Sequence, residues 1–166
     1  MHTPPFTPGL ELSRRFYFEA VRPILEQHFP HLAHTAALIG YGSEVLGLDT
    51  PMSMDHGWHP RVLIFLRPED MTLAQPIRRV LAQELPHLFL DIPVDAIPVP
   101  NEPGVCWMRY KAEGEVEHVI DPTTLGEFVQ RLLAWDMTQA LETADWLSFP
   151  SQILRELTSG GTINVL

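Results

Sequence analysis

The chain has 166 residues, of which 45% are hydrophobic and 19% are charged, and its formal net charge is −10. This length fits one domain, and the apolar fraction is too high for a disordered chain. The negative charge argues against broad binding to nucleic acid, which needs a basic surface. The single cysteine, Cys106, excludes an internal disulfide.

The beginning of the chain and its apolar runs bear on localisation. Residues 1–8 are rich in proline and carry no basic cluster followed by an apolar run, so we expect no signal peptide. The longest apolar runs are about five residues, far below the roughly 20 that a membrane span needs. We therefore expect a soluble, cytoplasmic protein with no membrane association.

Hydrophobic periodicity and proline positions predict the elements. In chain order they are a helix at 10–28, a strand at 35–39, a short helix at 43–47, a loop at 49–53, a strand at 61–66, a helix from 68 to about 85, a loop-rich stretch at 93–104, two hairpin strands at 105–111 and 115–120, helices at 123–135, 138–147 and 150–158, and an irregular tail at 159–166.

Alternation of helices and strands implies a sheet flanked by helices. We therefore predict one α/β domain (α+β in a stricter taxonomy) with a mixed central sheet and short C-terminal helices. Its core would span about residues 10–135, and a helical appendage would span about 136–166.

Residues 38–66, LIGYGSEVLGLDTPMSMDHGWHPRVLIFL, are the stretch most informative about chemistry. A predicted strand ends in Gly42-Ser43, and Asp55 follows twelve residues after Ser43, ahead of the next predicted strand. Glycine lets the backbone approach a phosphate closely, and carboxylates are the hard oxygen ligands that Mg²⁺ prefers.

This stretch resembles the signature of the nucleotidyltransferase superfamily, whose fold is shared with DNA polymerase β and the antibiotic nucleotidyltransferases. More narrowly, three segments are similar to an uncharacterised bacterial nucleotidyltransferase-like family. They are PGLELSRRFY at 8–17, ALIGYGSEVLGLDTPMSMDH at 37–56 and ADWLSFP at 144–150. The resemblance implies a nucleotidyltransferase-like fold and metal-dependent transfer of a nucleoside monophosphate from an NTP to an unknown acceptor.

The resemblance also implies site residues. Gly42 and Ser43 would bind the phosphates of the NTP. Asp55 and Asp121 would be the catalytic carboxylates and would hold Mg²⁺, with Mn²⁺ as the alternative ion. Glu117 is the alternative to Asp121, since the two would share one face of the predicted strand.

Two basic side chains complete the predicted site. His59 lies four residues after Asp55, so in an extended strand it would share that face as an auxiliary metal ligand. Arg61 would meet the triphosphate, and an ion pair with an acidic residue explains it equally well.

One position departs from the superfamily signature. Where the second acid of Asp-x-Asp is expected, the chain has Gly57. The alternative function is therefore a catalytically degenerate nucleotide-binding or regulatory module that acts with a partner protein. A homodimer, or one half of a toxin–antitoxin or defence pair, is a further alternative that the residues leave open.

Overall fold

The computed structural model describes residues 5–55, 58–100 and 106–165. The helices are α1 (Gly9–Phe16), α2 (Arg22–His28), α3 (Ala74–Glu84), α4 (Leu125–Leu133), α5 (Thr143–Ser148) and α6 (Ser151–Thr158). The strands are β1 (His34–Leu38), β2 (Leu63–Leu66), β3 (Leu88–Phe89), β4 (Ile92–Pro93), β5 (Ala96–Pro98), β6 (Cys106–Met108) and β7 (Gly161–Val165). The architecture is therefore α+β.

The predicted first helix is confirmed as α1 and α2, joined by a π-helical segment at Tyr17–Val21. Pro23 explains this segment, because proline lacks the N–H that an α-helix needs and its ring crowds the carbonyl one turn earlier. The apolar stripe predicted from the spacing is buried: Leu12, Phe16 and Val21 are fully inaccessible to solvent. This stripe packs on β1, β2 and α3 to form the main core.

The central sheet has the strand order β2-β1-β7, and both pairings are antiparallel. At the outer edge of β2, Thr123 adds a single parallel bridge to Phe65. The Thr123 N–H donates to the Ile64 carbonyl at 3.0 Å, and the Leu66 N–H donates to the Thr123 carbonyl at 2.9 Å. This bridge fixes the start of α4 against β2.

The predicted irregular tail is wrong, since it forms β7 and pairs with β1 over Thr35–Leu38. Gly160 makes the entry into β7 possible. Its φ is +80°, and a Cβ there would lie 2.1 Å from the Leu38 carbonyl oxygen. The Gly40 N–H also donates to the Glu156 carbonyl of α6 at 2.9 Å. The C-terminal segment is thus bonded to the central sheet.

The predicted hairpin between 105–111 and 115–120 is also wrong. Strand β6 pairs with β5, and residues 115–120 form no strand. Val116 N–H donates to the Ala82 carbonyl of α3 at 2.7 Å, and Ala96 N–H donates to the Glu117 carbonyl at 2.7 Å. Segment 115–120 therefore forms backbone hydrogen bonds with the end of α3 and with the start of β5.

The other local predictions differ in detail. The strand predicted at 61–66 begins at Leu63, and the helix predicted at 68–85 begins with a 3₁₀ turn at Pro68–Leu73 before α3. The short helix expected at 43–47 is a series of turns, and the loop expected at 49–53 is mostly a 3₁₀ turn at Pro51–Asp55. No helix in the described ranges is long and apolar enough to cross a bilayer.

A buried hydrogen-bond chain joins the first helix to β1 and β7. His34 Nδ1 lies 3.0 Å from the Leu32 carbonyl, which can only accept, so Nδ1 carries the proton. Tyr17 then donates its hydroxyl proton to His34 Nε2 at 2.8 Å and accepts from Asn164 Nδ2 at 3.0 Å. The imidazole of His34 and the hydroxyl of Tyr17 both have their hydrogen-bond partners when His34 is neutral.

A second histidine, His118, is also held neutral, as the opposite tautomer. Its Nε2 donates to the Arg78 carbonyl at 3.0 Å, and its Nδ1 accepts from the Ile120 N–H at 3.2 Å. Burial lowers the pKa of His34 and of His118 below the ordinary value. Both histidines therefore remain neutral in the folded chain at a pH where they are protonated in the unfolded chain.

We expect acid to destabilise the fold as the pH falls below about 6.5, the unperturbed pKa of histidine. In that window the unfolded chain binds more protons, so the free energy of unfolding falls by up to about 1.4 kcal/mol per pH unit for each histidine. Urea unfolding between pH 8 and pH 5 measures the slope. His34→Gln removes one titrating group and should flatten it, and an unchanged slope would contradict this assignment.

Candidate functional site

Two of the predicted site residues line a cavity of about 250 Å³ between the glycine turn, β2 and α4. The side chains and turn residues that matter for its chemistry are Gly40, Tyr41, Arg61, Asp121, Phe128 and Arg131. These two residues, Arg61 and Asp121, meet at one cavity although they are 60 positions apart in the chain.

Arg61 forms a buried ion pair with Glu44. The Arg61 Nε donates to Glu44 Oε1 at 2.9 Å, and Nη2 donates to the same oxygen at 2.5 Å and to the Tyr41 carbonyl. The two side chains are only 9% and 12% exposed. The guanidinium carbon also lies 4.3 Å from the centroid of the Tyr41 ring. The structure therefore shows the ion pair with an acidic residue that was one of the two interpretations of Arg61.

The ion pair lies directly against the backbone of the glycine turn. Gly42 has a φ of +127°, and a Cβ there would lie 2.2 Å from Arg61 Nη2 and 2.5 Å from Glu44 Oε2. Only glycine leaves room for this approach. Ser43 follows on the same turn and is half-buried, with its carbonyl accepting from the Leu48 N–H at 2.8 Å.

The N-terminal cap of α4 places Asp121 and Arg131 around the cavity. Thr124 and Glu127 form a reciprocal capping box, with both hydrogen bonds at 3.1 Å. The backbone hydrogen bond from Thr124 lowers the pKa of Glu127. Since Thr123 bridges β2, the cap also fixes the segment carrying Asp121. Arg131, two turns along α4, has its guanidinium carbon 5.6 Å from the centroid of the Phe128 ring.

Asp121 pairs with Arg78 of α3. The alternative acid Glu117 is elsewhere, since it pairs with Lys111 at 3.3 Å and lines a different cavity. The expectation that Glu117 and Asp121 share a strand face is wrong, because residues 115–120 form no strand.

Asp55 and His59 do not lie on a strand either. Asp55 ends the 3₁₀ turn Pro51–Asp55, whereas β2 begins at Leu63. Strand alternation therefore does not bring Asp55 and His59 to a common face. His59 is buried, with 9% exposure, and it is not among the residues lining the cavity. Gly57 lies outside the described residues.

Metal-ligating side chains are not clustered among the residues that the structure describes. Within 5–55, 58–100 and 106–165, no three side chains of His, Cys, Asp or Glu come together as a metal-ion site. Asp121, which lines the cavity, is paired with Arg78, and Glu44 is paired with Arg61, which also lines it. The cavity is lined by two guanidinium groups and by the Asp121 carboxylate, and the guanidinium groups attract an anion.

Sequence reasoning missed four residues of this site: Tyr41, Glu44, Arg78 and Arg131. Glu44 had a signal, since it lies within the glycine-turn motif and has the charge that the ion-pair interpretation of Arg61 requires. Arg78 and Arg131 had no sequence signal beyond their charge. Tertiary packing brings Arg78 to Asp121 and Arg131 to the cavity.

Comparison with known proteins found no matching family model, no matching curated protein and no matching solved structure.

Proposed function

We propose that the chain is a nucleotide-binding module of the nucleotidyltransferase type that binds phosphate groups with arginines. The observation that carries this proposal is the meeting of Arg61, Arg131 and the glycine turn at one cavity. Guanidinium groups bind phosphate by charge and by paired hydrogen bonds. The resemblance in residues 38–66 assigns the same turn to phosphate binding.

The aromatic side chains at the cavity support a nucleotide rather than a bare anion. Tyr41 is 61% exposed, and its ring is held by the Arg61 guanidinium on one face. Phe128 lines the cavity and packs edge-on against Phe65 at 5.3 Å between ring centroids. An exposed ring beside cationic groups suits a base and its phosphates, since bases stack on aromatic side chains.

We expect Arg131→Gln to weaken nucleotide binding by about five- to tenfold, because it removes a charged hydrogen-bond donor at an exposed edge of the cavity. Arg131 is exposed and has no ion pair within the described residues, so its loss should leave the fold intact. Isothermal titration with ATP, GTP, CTP and UTP measures the change.

Arg155→Gln is the matched control for this variant. Arg155 is an exposed helical arginine on α6 and does not line the cavity. It carries the same charge, so its substitution tests whether net charge alone governs affinity. Equal weakening by the two variants would contradict binding at the cavity.

Metal-dependent nucleotidyl transfer to an unknown acceptor is the second candidate function. The observation that favours it is the position of Asp121, the predicted catalytic acid, at the same cavity as Arg61. Gly57→Asp tests it by restoring the missing acid of the signature. If the natural chain is degenerate, this variant gains Mg²⁺-dependent pyrophosphate release from an NTP. Turnover in the natural chain that is lost in Asp55→Ala would instead establish transfer as its function.

A further inference from the structure

The ion pair between Arg61 and Glu44 bears on how the cavity would receive a phosphate group. Glu44 accepts from two nitrogens of the Arg61 guanidinium, so one carboxylate oxygen already lies where an anionic ligand would bind. The pair packs directly against the backbone of Gly42, so closely that a Cβ at this position would clash with both side chains. Glu44 thus takes the place of a ligand anion on Arg61.

The surroundings of Glu44 hold its side chain in this position. A Cβ on Gly9, the first residue of α1, would lie 2.5 Å from Glu44 Cβ and 2.7 Å from Glu44 Cγ. The Gly9 N–H is already occupied by Asp49 Oδ2 at 2.7 Å, so the start of α1 offers Glu44 a close packing surface rather than a competing hydrogen bond. Packing at Gly9 therefore directs the carboxylate toward Arg61.

We propose that Glu44 is an intramolecular competitor that restricts the cavity to polyphosphate ligands. The inference rests on the proposed function, because it concerns how the same cavity selects its ligand. A phosphate group reaches Arg61 only by displacing the Glu44 carboxylate. A monophosphate or a carboxylate offers little more charge than Glu44 itself, whereas a triphosphate brings several charges and many acceptor oxygens.

Glu44→Gln tests this inference, with inorganic triphosphate and inorganic phosphate as the probes. The glutamine side chain has the same size and its carbonyl oxygen still accepts from Arg61, but the competing negative charge is gone. We expect the variant to bind triphosphate at least about tenfold more tightly than the natural chain, since a charge-assisted hydrogen bond no longer has to be broken. We also expect measurable binding of inorganic phosphate only in the variant.

Glu26→Gln is the matched control, because it removes the same charge from an exposed pair with Arg22 that is distant in sequence from the glycine turn. An equal gain in both variants would show an effect of net charge and would overturn the inference. Unchanged or weaker triphosphate binding in Glu44→Gln would overturn it as well.

The outcomes separate this inference from the proposed function. If the natural chain binds nucleotide and Glu44→Gln brings no gain, the inference fails and the proposed function stands. If triphosphate binds only to Glu44→Gln, Glu44 excludes triphosphate from the natural cavity as well, which overturns the inference that Glu44 selects polyphosphate ligands. If neither protein binds any phosphate, both fail.

A measurement on the natural chain keeps the test decisive if Glu44→Gln does not fold. The ¹³C resonance of the Glu44 carboxylate is followed while triphosphate is added. Displacement from Arg61 moves this resonance with the same midpoint as binding. Binding of triphosphate with no change at Glu44 would overturn the inference.

Discussion

Arg61→Leu is expected to lower the free energy of unfolding by about 3–5 kcal/mol, the usual cost of removing one partner of a buried ion pair. The Glu44 carboxylate is only 12% exposed, and the substitution leaves it without its cation. The variant also loses the hydrogen bond to the Tyr41 carbonyl that holds the glycine turn. Urea unfolding at pH 7 measures the loss.

The double variant Arg61→Leu/Glu44→Leu is the control for the buried charge. Replacing both partners by apolar side chains removes the unpaired carboxylate, so this chain should be more stable than Arg61→Leu alone. A loss below about 1 kcal/mol in the single variant would mean that the pair behaves like an exposed one, which would contradict its burial.

Gly160→Ala is expected to cost at least about 3 kcal/mol and to release β7 from β1. A positive φ alone costs an alanine about 1–3 kcal/mol, and the added Cβ would also meet the Leu38 carbonyl oxygen at 2.1 Å. Because that oxygen belongs to the central strand, it cannot move without disturbing β2 as well. Thermal unfolding gives the stability, and amide hydrogen exchange over Gly161–Val165 reports whether β7 remains paired.

The neighbouring Gly161→Ala provides the control. A Cβ on Gly161 meets nothing within 4 Å, and its φ is not positive. The substitution should change stability by less than about 1 kcal/mol. Equal losses in the two variants would show that glycine content, rather than the turn geometry at Gly160, governs the stability of this segment.

Local patterns were sufficient for the elements that carry their own periodicity. The apolar stripe of α1 and α2, the short runs that become β1 and β2, and the helix that becomes α4 were all predicted from neighbouring residues. These patterns reflect burial on one face, which leaves a direct mark on the sequence. Gly42 was predicted as a site residue from the resemblance in residues 38–66, and Arg61 from its position within that stretch.

Contacts between residues far apart in the chain could not be predicted from local sequence patterns. Strand β7 pairs with β1, which lies more than a hundred residues earlier, and nothing in the tail specifies that partner. The contact of Asp121 with Arg78 depends in the same way on the packing of α3. The extended geometry expected for Asp55 and His59 failed because prolines at 51 and 60 interrupt the approach to β2.

Titration of the natural chain with the four nucleoside triphosphates, in Mg²⁺, in Mn²⁺ and in EDTA, tests nucleotide binding at the arginine-lined cavity most directly. Because two guanidinium groups line the cavity, we expect at least one nucleotide to bind in EDTA and to bind less tightly to Arg131→Gln. Binding that requires a divalent ion and is lost in Asp55→Ala would favour metal-dependent transfer instead. No binding of any nucleotide under any of these conditions would contradict the proposed function.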